Sequence, residues 1–152
     1  VSGDRTQHVL WRLDHGHFEG FTPKVVVLMI GTNNSNGDDN TVTEIADGVR
    51  AIVGRIRAKS PTTKILLLDI FPRGETPNPQ RGKNCQVNQL LAKLDDGNFV
   101  HYHPIGHLFL DDAGKISKDI MPDFLHLTER GYEIWAAAIE EKLDALMNEV
   151  PE

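Results

Sequence analysis

The sequence predicts an α/β fold, a three-layer sandwich in which helices cover both faces of a parallel sheet. Three observations carry this reading. Apolar, β-branched runs suited to buried strands recur along the chain, the clearest being "VVVLMI" and "KILLLDIF". Segments with apolar residues at helical spacing separate them. The breaks between are dense in Pro, Gly, Asn and Asp. Strands alternating with helices imply right-handed crossovers, and therefore parallel strands.

Each element has its own signal. "QHVLWRLDHG" places Val9, Leu10 and Leu13 on one helical face, with Gly16 as a stop. Pro23 leads into a strand over residues 25–30, and "NNSNGDDN" reads as a loop. "TVTE" is a capping box, with Thr41 and Glu44 satisfying free N–H groups at a helix start. Val42, Ile45, Val49, Ile52, Val53 and Ile56 continue that helix to Ser60-Pro61. A second strand over residues 64–71 ends at Pro72, and "RGETPNPQRG" reads as a long loop. Residues 83–94 read as a helix, "NFVHYHP" as a short third strand and residues 108–122 as mostly irregular. Thr128 caps a final helix whose apolar face is Ile134, Trp135, Ala138, Ile139, Leu143 and Leu146. Three strands are few, since a domain of this type carries about five.

The bulk composition bounds the function. The 152 residues, 39% hydrophobic and 25% charged, fit one domain with its own core. A formal charge of -6 argues against a nucleic-acid partner, which wants a basic face. Apolar runs reach only six or seven residues, far short of the roughly 20 that span a membrane. The single cysteine, Cys85, excludes an internal disulfide and has no base partner nearby in sequence. "VSGDRTQH" shows neither an initiator methionine nor a signal pattern, and reads as the middle of something.

Two short stretches carry chemistry. "GTNN" follows the first strand, at the sheet end where ligands bind in open α/β folds. There the Asn33 amide can donate to a developing oxyanion, whereas Asn34 fits a turn asparagine better. "MPDFLHLTERGY" sets Asp123 three residues before His126. A carboxylate beside an imidazole fixes its tautomer and leaves the other nitrogen free as a base. His101 and His103 share a strand face, but with no matched carboxylates they read as structural or solvated rather than metal-binding. "DDGN" and "DDAG" lack the alternating oxygens of a calcium loop. Trp11 and Trp135 read as packing residues, and Arg73 and Arg81 as loop charges, solvated or lining a pocket.

Five stretches in order, "SGDRTQHVLWRL", "PKVVVLMIGTNN", "LLLDIFPRG", "NPQRGKNCQVNQLL" and "MPDFLHLTERGY", cover nearly the whole chain. Together they resemble the SGNH (GDSL-type) hydrolase superfamily, and within it the branch of the platelet-activating-factor acetylhydrolase catalytic subunits. The resemblance implies a flavodoxin-like three-layer fold and a serine esterase needing no cofactor or metal. It implies that Gly3 is a backbone oxyanion donor, Asn33 the side-chain donor, His126 the general base and Asp123 its orienting carboxylate. The implied substrates are small acyl esters, acetyl above all, on simple, carbohydrate or lipid alcohols. Relatives in this branch can dimerise, so a homodimer is among the partners implied.

The nucleophile is the departure. The family's serine lies in a "GDS" motif ending the first strand, and this chain has no "GDS". Ser2, in "SGD", belongs to the second block, and neither Ser35, Ser60 nor Ser117 sits at a strand-to-helix turn suited to a nucleophile. The expectation is one SGNH domain over residues 1–152, incomplete at its N-terminus, with the first strand and its serine upstream of Val1. Without that interior strand the isolated chain is expected to fold poorly, each buried ladder group left unpaired costing about 1–3 kcal/mol. The alternatives are a non-catalytic carbohydrate- or lipid-binding module and an inactive fragment.

Overall fold

The computed structural model describes residues 2–149. In chain order the elements are α1 (Thr6–Asp14), β1 (Val25–Leu28), α2 (Val42–Lys59), β2 (Lys64–Leu68), α3 (Pro79–Leu91), β3 (Val100–His103) and α4 (Glu129–Asn148). Short 3₁₀ turns occupy Thr32–Ser35, Ala92–Leu94 and Gly106–Phe109. The three strands are parallel and ordered β1-β2-β3, which puts β2 in the middle.

Register divides the core. Val26, Ile65 and Val100 lie abreast, as do Val27, Leu66 and His101. Partners in a parallel ladder point to the same face. Ile65 and Leu67 therefore meet Ile45, Val49 and Ile52 of α2 and Val87 and Leu91 of α3. Leu66 and Leu68 face the other way, onto Phe109, Met121 and, from α4, Ile139 and Leu146. This is the expected three-layer α/β/α arrangement. Burying each of these large apolar side chains contributes about 1.5–3 kcal/mol.

The strands are shorter than their apolar runs. After Leu28 the chain bends into Gly31, whose φ of 123° ends the ladder while Ile30 still packs against the core. After Leu68, the Asp69 carboxylate turns to accept the backbone N–H groups of Ile105 (2.8 Å) and Gly106 (3.1 Å). Burial pushes the Asp69 carboxyl above its ordinary pKa.

Helix limits follow their caps. The Thr41 hydroxyl accepts the Glu44 N–H (3.2 Å), and the Glu44 carboxylate accepts the Thr41 N–H (2.7 Å). α3 starts at Pro79 rather than at residue 83. Asn78 caps it by accepting the Arg81 N–H (3.1 Å), and Pro79 takes the first turn, where a missing N–H costs nothing. Part of the Pro-rich "loop" is thus a helix start. Thr128 caps α4 through the Gly131 N–H (3.2 Å).

Trp11 is a correction. It is 59% exposed and stacks on His15, with ring centroids 4.1 Å apart, instead of packing in the core. Trp135 does pack, edge-on against Phe71 (5.1 Å). Among the described residues β1 pairs on one side only, and its Val27 is 37% exposed. No helix of the described residues is long and apolar enough to cross a membrane.

Candidate active site

The site lies at the carboxyl ends of β1 and β2 and in the segment before α4. Asp123 and His126 form its firmest contact. The His126 Nδ1 lies 2.6 Å from the Asp123 Oδ2. The other carboxylate oxygen, Oδ1, accepts the backbone N–H groups of His126 (2.8 Å) and Leu125 (3.1 Å). The imidazole and these two N–H groups lower the Asp123 pKa from 3.8 to about 2. Between the pair, Phe124 adopts φ +58°, a left-handed conformation that is costly for an aromatic residue. That kink turns the chain so that both side chains meet. The His126 side chain is 71% exposed, and its Nε2 has no hydrogen bond among the described residues.

Asn33 sits in the 3₁₀ turn after β1. Its Nδ2 donates to the Asp4 carbonyl at 3.0 Å, which joins it to the segment carrying Gly3. Gly3 itself is exposed in a turn at φ +78°. The structure thus brings together Asp123 with His126, and Asn33 with the neighbour of Gly3. No direct hydrogen bond joins the two pairs among the described residues.

What bridges them escaped the sequence reading. Arg73, in the loop after β2, donates from Nη1 to the Thr32 carbonyl (3.2 Å), the Thr32 hydroxyl (3.3 Å) and Asn36 Oδ1 (3.1 Å). Partial burial lowers its pKa, and the Asp123 carboxylate acts in the opposite direction. The next N–H, of Gly74, donates to the Phe124 carbonyl at 2.8 Å. Arg81 is buried, and its guanidinium donates to the carbonyls of Arg73 (3.0 Å), Gly74 (2.6 Å), Glu75 (3.2 Å) and Gly114. Neither arginine is a solvated loop charge. Arg73 lay in "PRG", but no local pattern marks which carbonyls a loop arginine will reach.

Asn34 serves structure, through distant partners rather than its own backbone. Its Oδ1 accepts the Thr6 N–H (2.9 Å), and its Nδ2 donates to Thr6 Oγ1, Gln7 Oε1 and Asn40 Oδ1 (3.2, 3.1 and 3.0 Å). It anchors the start of α1 to the turn that carries Asn33. Three of the serines are engaged elsewhere. Ser35 is buried, donating to the Thr32 carbonyl (2.7 Å) and accepting from Gln80 Nε2 (3.0 Å). Ser60 pairs with Thr63 (2.6 Å), and Ser117 accepts the Asp119 N–H (3.2 Å). Among the described residues no serine hydroxyl is hydrogen-bonded to His126.

The histidines of β3 each meet a backbone carbonyl, His101 that of Asn98 and His103 that of Ala138, both at 2.9 Å. Among the described residues no three His, Cys, Asp or Glu side chains form a group able to hold a metal ion. Asp96 and Asp111 accept N–H groups of their own turns, and Asp95 accepts those of Gly97 and, in β3, Tyr102.

The family model for the GDSL-like lipase/acylhydrolase family matches residues 1–134, a span that includes Gly3, Asn33, Asp123 and His126. The chain belongs to that family. Platelet-activating factor acetylhydrolase IB subunit alpha2 of Rattus norvegicus is 44% identical over 163 residues, which cover 100% of this chain. The chain spans 66% of that relative's length. A solved structure of a candidate platelet activating factor from Streptococcus pneumonia superposes with a TM-score of 0.80 at 30% identity, over 93% of this chain and 69% of that one. A GDSL-like lipase from Bacteroides thetaiotaomicron shares the fold, with a TM-score of 0.79 at 19% identity over 95% of this chain and 73% of that one. These findings agree with the SGNH-type resemblance of the sequence.

Proposed function

We propose that this GDSL-family chain supplies the base and oxyanion donors of a serine esterase acting on small acyl esters, acetyl esters in particular. The observation that carries the reading is the Asp123–His126 pair, held at 2.6 Å with the aspartate fixed by two backbone N–H groups. The relative's name, an acetylhydrolase, supports the acyl class.

In this reading His126 Nε2 takes the proton of a serine as its oxygen attacks the ester carbonyl. Asp123 stabilises the imidazolium that forms. The Gly3 N–H and the Asn33 amide donate to the carbonyl oxygen as it becomes an oxyanion. His126 then protonates the departing alcohol, leaving an acyl-serine. Water, deprotonated by the same imidazole, releases the acid and restores the serine. The serine comes from a strand preceding these residues, and the one-sided pairing of β1 is consistent with a neighbour there.

The test is fluorophosphonate labelling of the 152-residue chain and of the full-length protein, with peptide mapping and a small acyl ester assay. Labelling only of a serine outside these residues, with ester turnover, is the expected result. An adduct on Ser2, Ser35, Ser60 or Ser117 overturns the serine assignment. A full-length protein that neither labels nor turns over ester overturns the enzyme reading.

A further inference from the structure

We propose that Arg73 is a positioning residue that locks the turn bearing Asn33 to the segment bearing Asp123 and His126. The proposal rests on the esterase reading above and adds a residue to it.

Arg73 Nη1 grips the Asn33 turn on both sides of the asparagine, through Thr32 before it and Asn36 after it. One peptide further on, the Gly74 N–H holds the Phe124 carbonyl, inside the stretch that carries the base. Two adjacent residues therefore touch both halves of the site. Their backbone cannot drift. The Arg73 carbonyl accepts from Asn78 Nδ2 (2.9 Å) and Arg81 Nε (3.0 Å), and Arg81 also holds Gly74 and Glu75. Gly74 itself stands at φ +81°, and a Cβ there would lie 2.5 Å from Asn78 Nδ2. A turn gripped from a fixed loop presents its amide at a fixed point. An oxyanion donor displaced by about 1 Å loses much of its effect.

The chemistry asks for several donors on one nitrogen, since the two N–H groups of Nη1 are shared among three acceptors. Lysine carries three donors on its ammonium and should substitute in part. Methionine keeps the apolar stem and none of the donors.

The experiment is a double-mutant cycle in the full-length protein, with a small acyl ester as substrate. Arg73→Met is expected to lower kcat about 10- to 100-fold with KM within about twofold, and Arg73→Lys to recover most of that loss. The decisive comparison is with Asn33→Ala. If Arg73 acts through Asn33, the double variant turns over no more slowly than Asn33→Ala alone, because no donor remains to be positioned. Losses that multiply independently overturn the proposal, as does an Arg73→Met enzyme with unchanged kcat. Should Arg73→Met fail to fold by circular dichroism, Arg73→Gln takes its place in the same cycle under the same criteria. An Asn33→Ala enzyme of full activity indicts the oxyanion assignment instead, so the two failures are told apart.

Discussion

Asp123 holds His126 twice, once through the imidazole at 2.6 Å and once through the residue's own backbone N–H at 2.8 Å. The ring and the peptide that carries it are fixed by the same carboxylate. A side chain without the carboxylate removes both acceptors and leaves the imidazole free to rotate. In the full-length protein Asp123→Ala should therefore cost about 10³- to 10⁴-fold in kcat, measured by ester hydrolysis at neutral pH.

The same carboxylate should titrate unusually low. Its folded pKa, about 2, lies below the ordinary 3.8, so its ionised form is favoured in the folded protein. That contribution is complete above about pH 4 and is lost as pH falls toward 2. Carbon-detected NMR of the Asp123 carboxyl should show a midpoint near 2, moving upward in His126→Ala. A midpoint unchanged by that substitution would mean that the backbone N–H groups alone set the value.

Asn33 and Asn34 should part company. Asn33→Ala in the full-length protein should lower kcat about 10²–10³-fold, with little change in KM. Asn34→Ala leaves the buried Thr6 N–H without its acceptor, which costs about 1–3 kcal/mol. Its signature is a lower melting temperature. Thermal melts and kcat, measured side by side on both variants, separate a chemical role from a structural one.

Arg81→Met should destabilise without touching the reacting atoms. It strips donors from four carbonyls around a buried side chain, for an expected loss of about 3 kcal/mol. Denaturant titration should show the midpoint falling at constant slope.

Gly31→Ala should also destabilise. Its φ of 123° is barely open to other residues, and a Cβ would stand 2.7 Å from Ile70 Cδ1 and 3.2 Å from Ile45 Cγ2. A variant melting at the wild-type temperature would refute the close-contact account.

The sequence made the layers legible because strand and helix periodicities are local. "VVVLMI" and "KILLLDIF" could be little else, and the Thr41–Glu44 box and the Thr128 cap act within one turn of their helices. Asp123 and His126 were legible for the same reason, being three residues apart. Strand ends were not, because Gly31 and Asp69 end the ladders through contacts made elsewhere in the chain. Trp11 misled because its neighbours do face the core. Helical geometry sets it about 160° from Leu13, the buried apolar residue of α1. Arg73 and Arg81 were illegible as bridges, since their partners lie up to 41 residues away and a long side chain carries no record of its target.

The bare side of β1 has a practical consequence for anyone handling the 152-residue polypeptide by itself. A parallel strand with Val27 open to water and, among the described residues, no ladder partner on that side is a template for whatever extended peptide arrives first. Another copy of the same polypeptide is the commonest arrival in a concentrated sample. Its solubility should therefore fall with protein concentration, and a synthetic peptide able to occupy that side should act as a solubiliser.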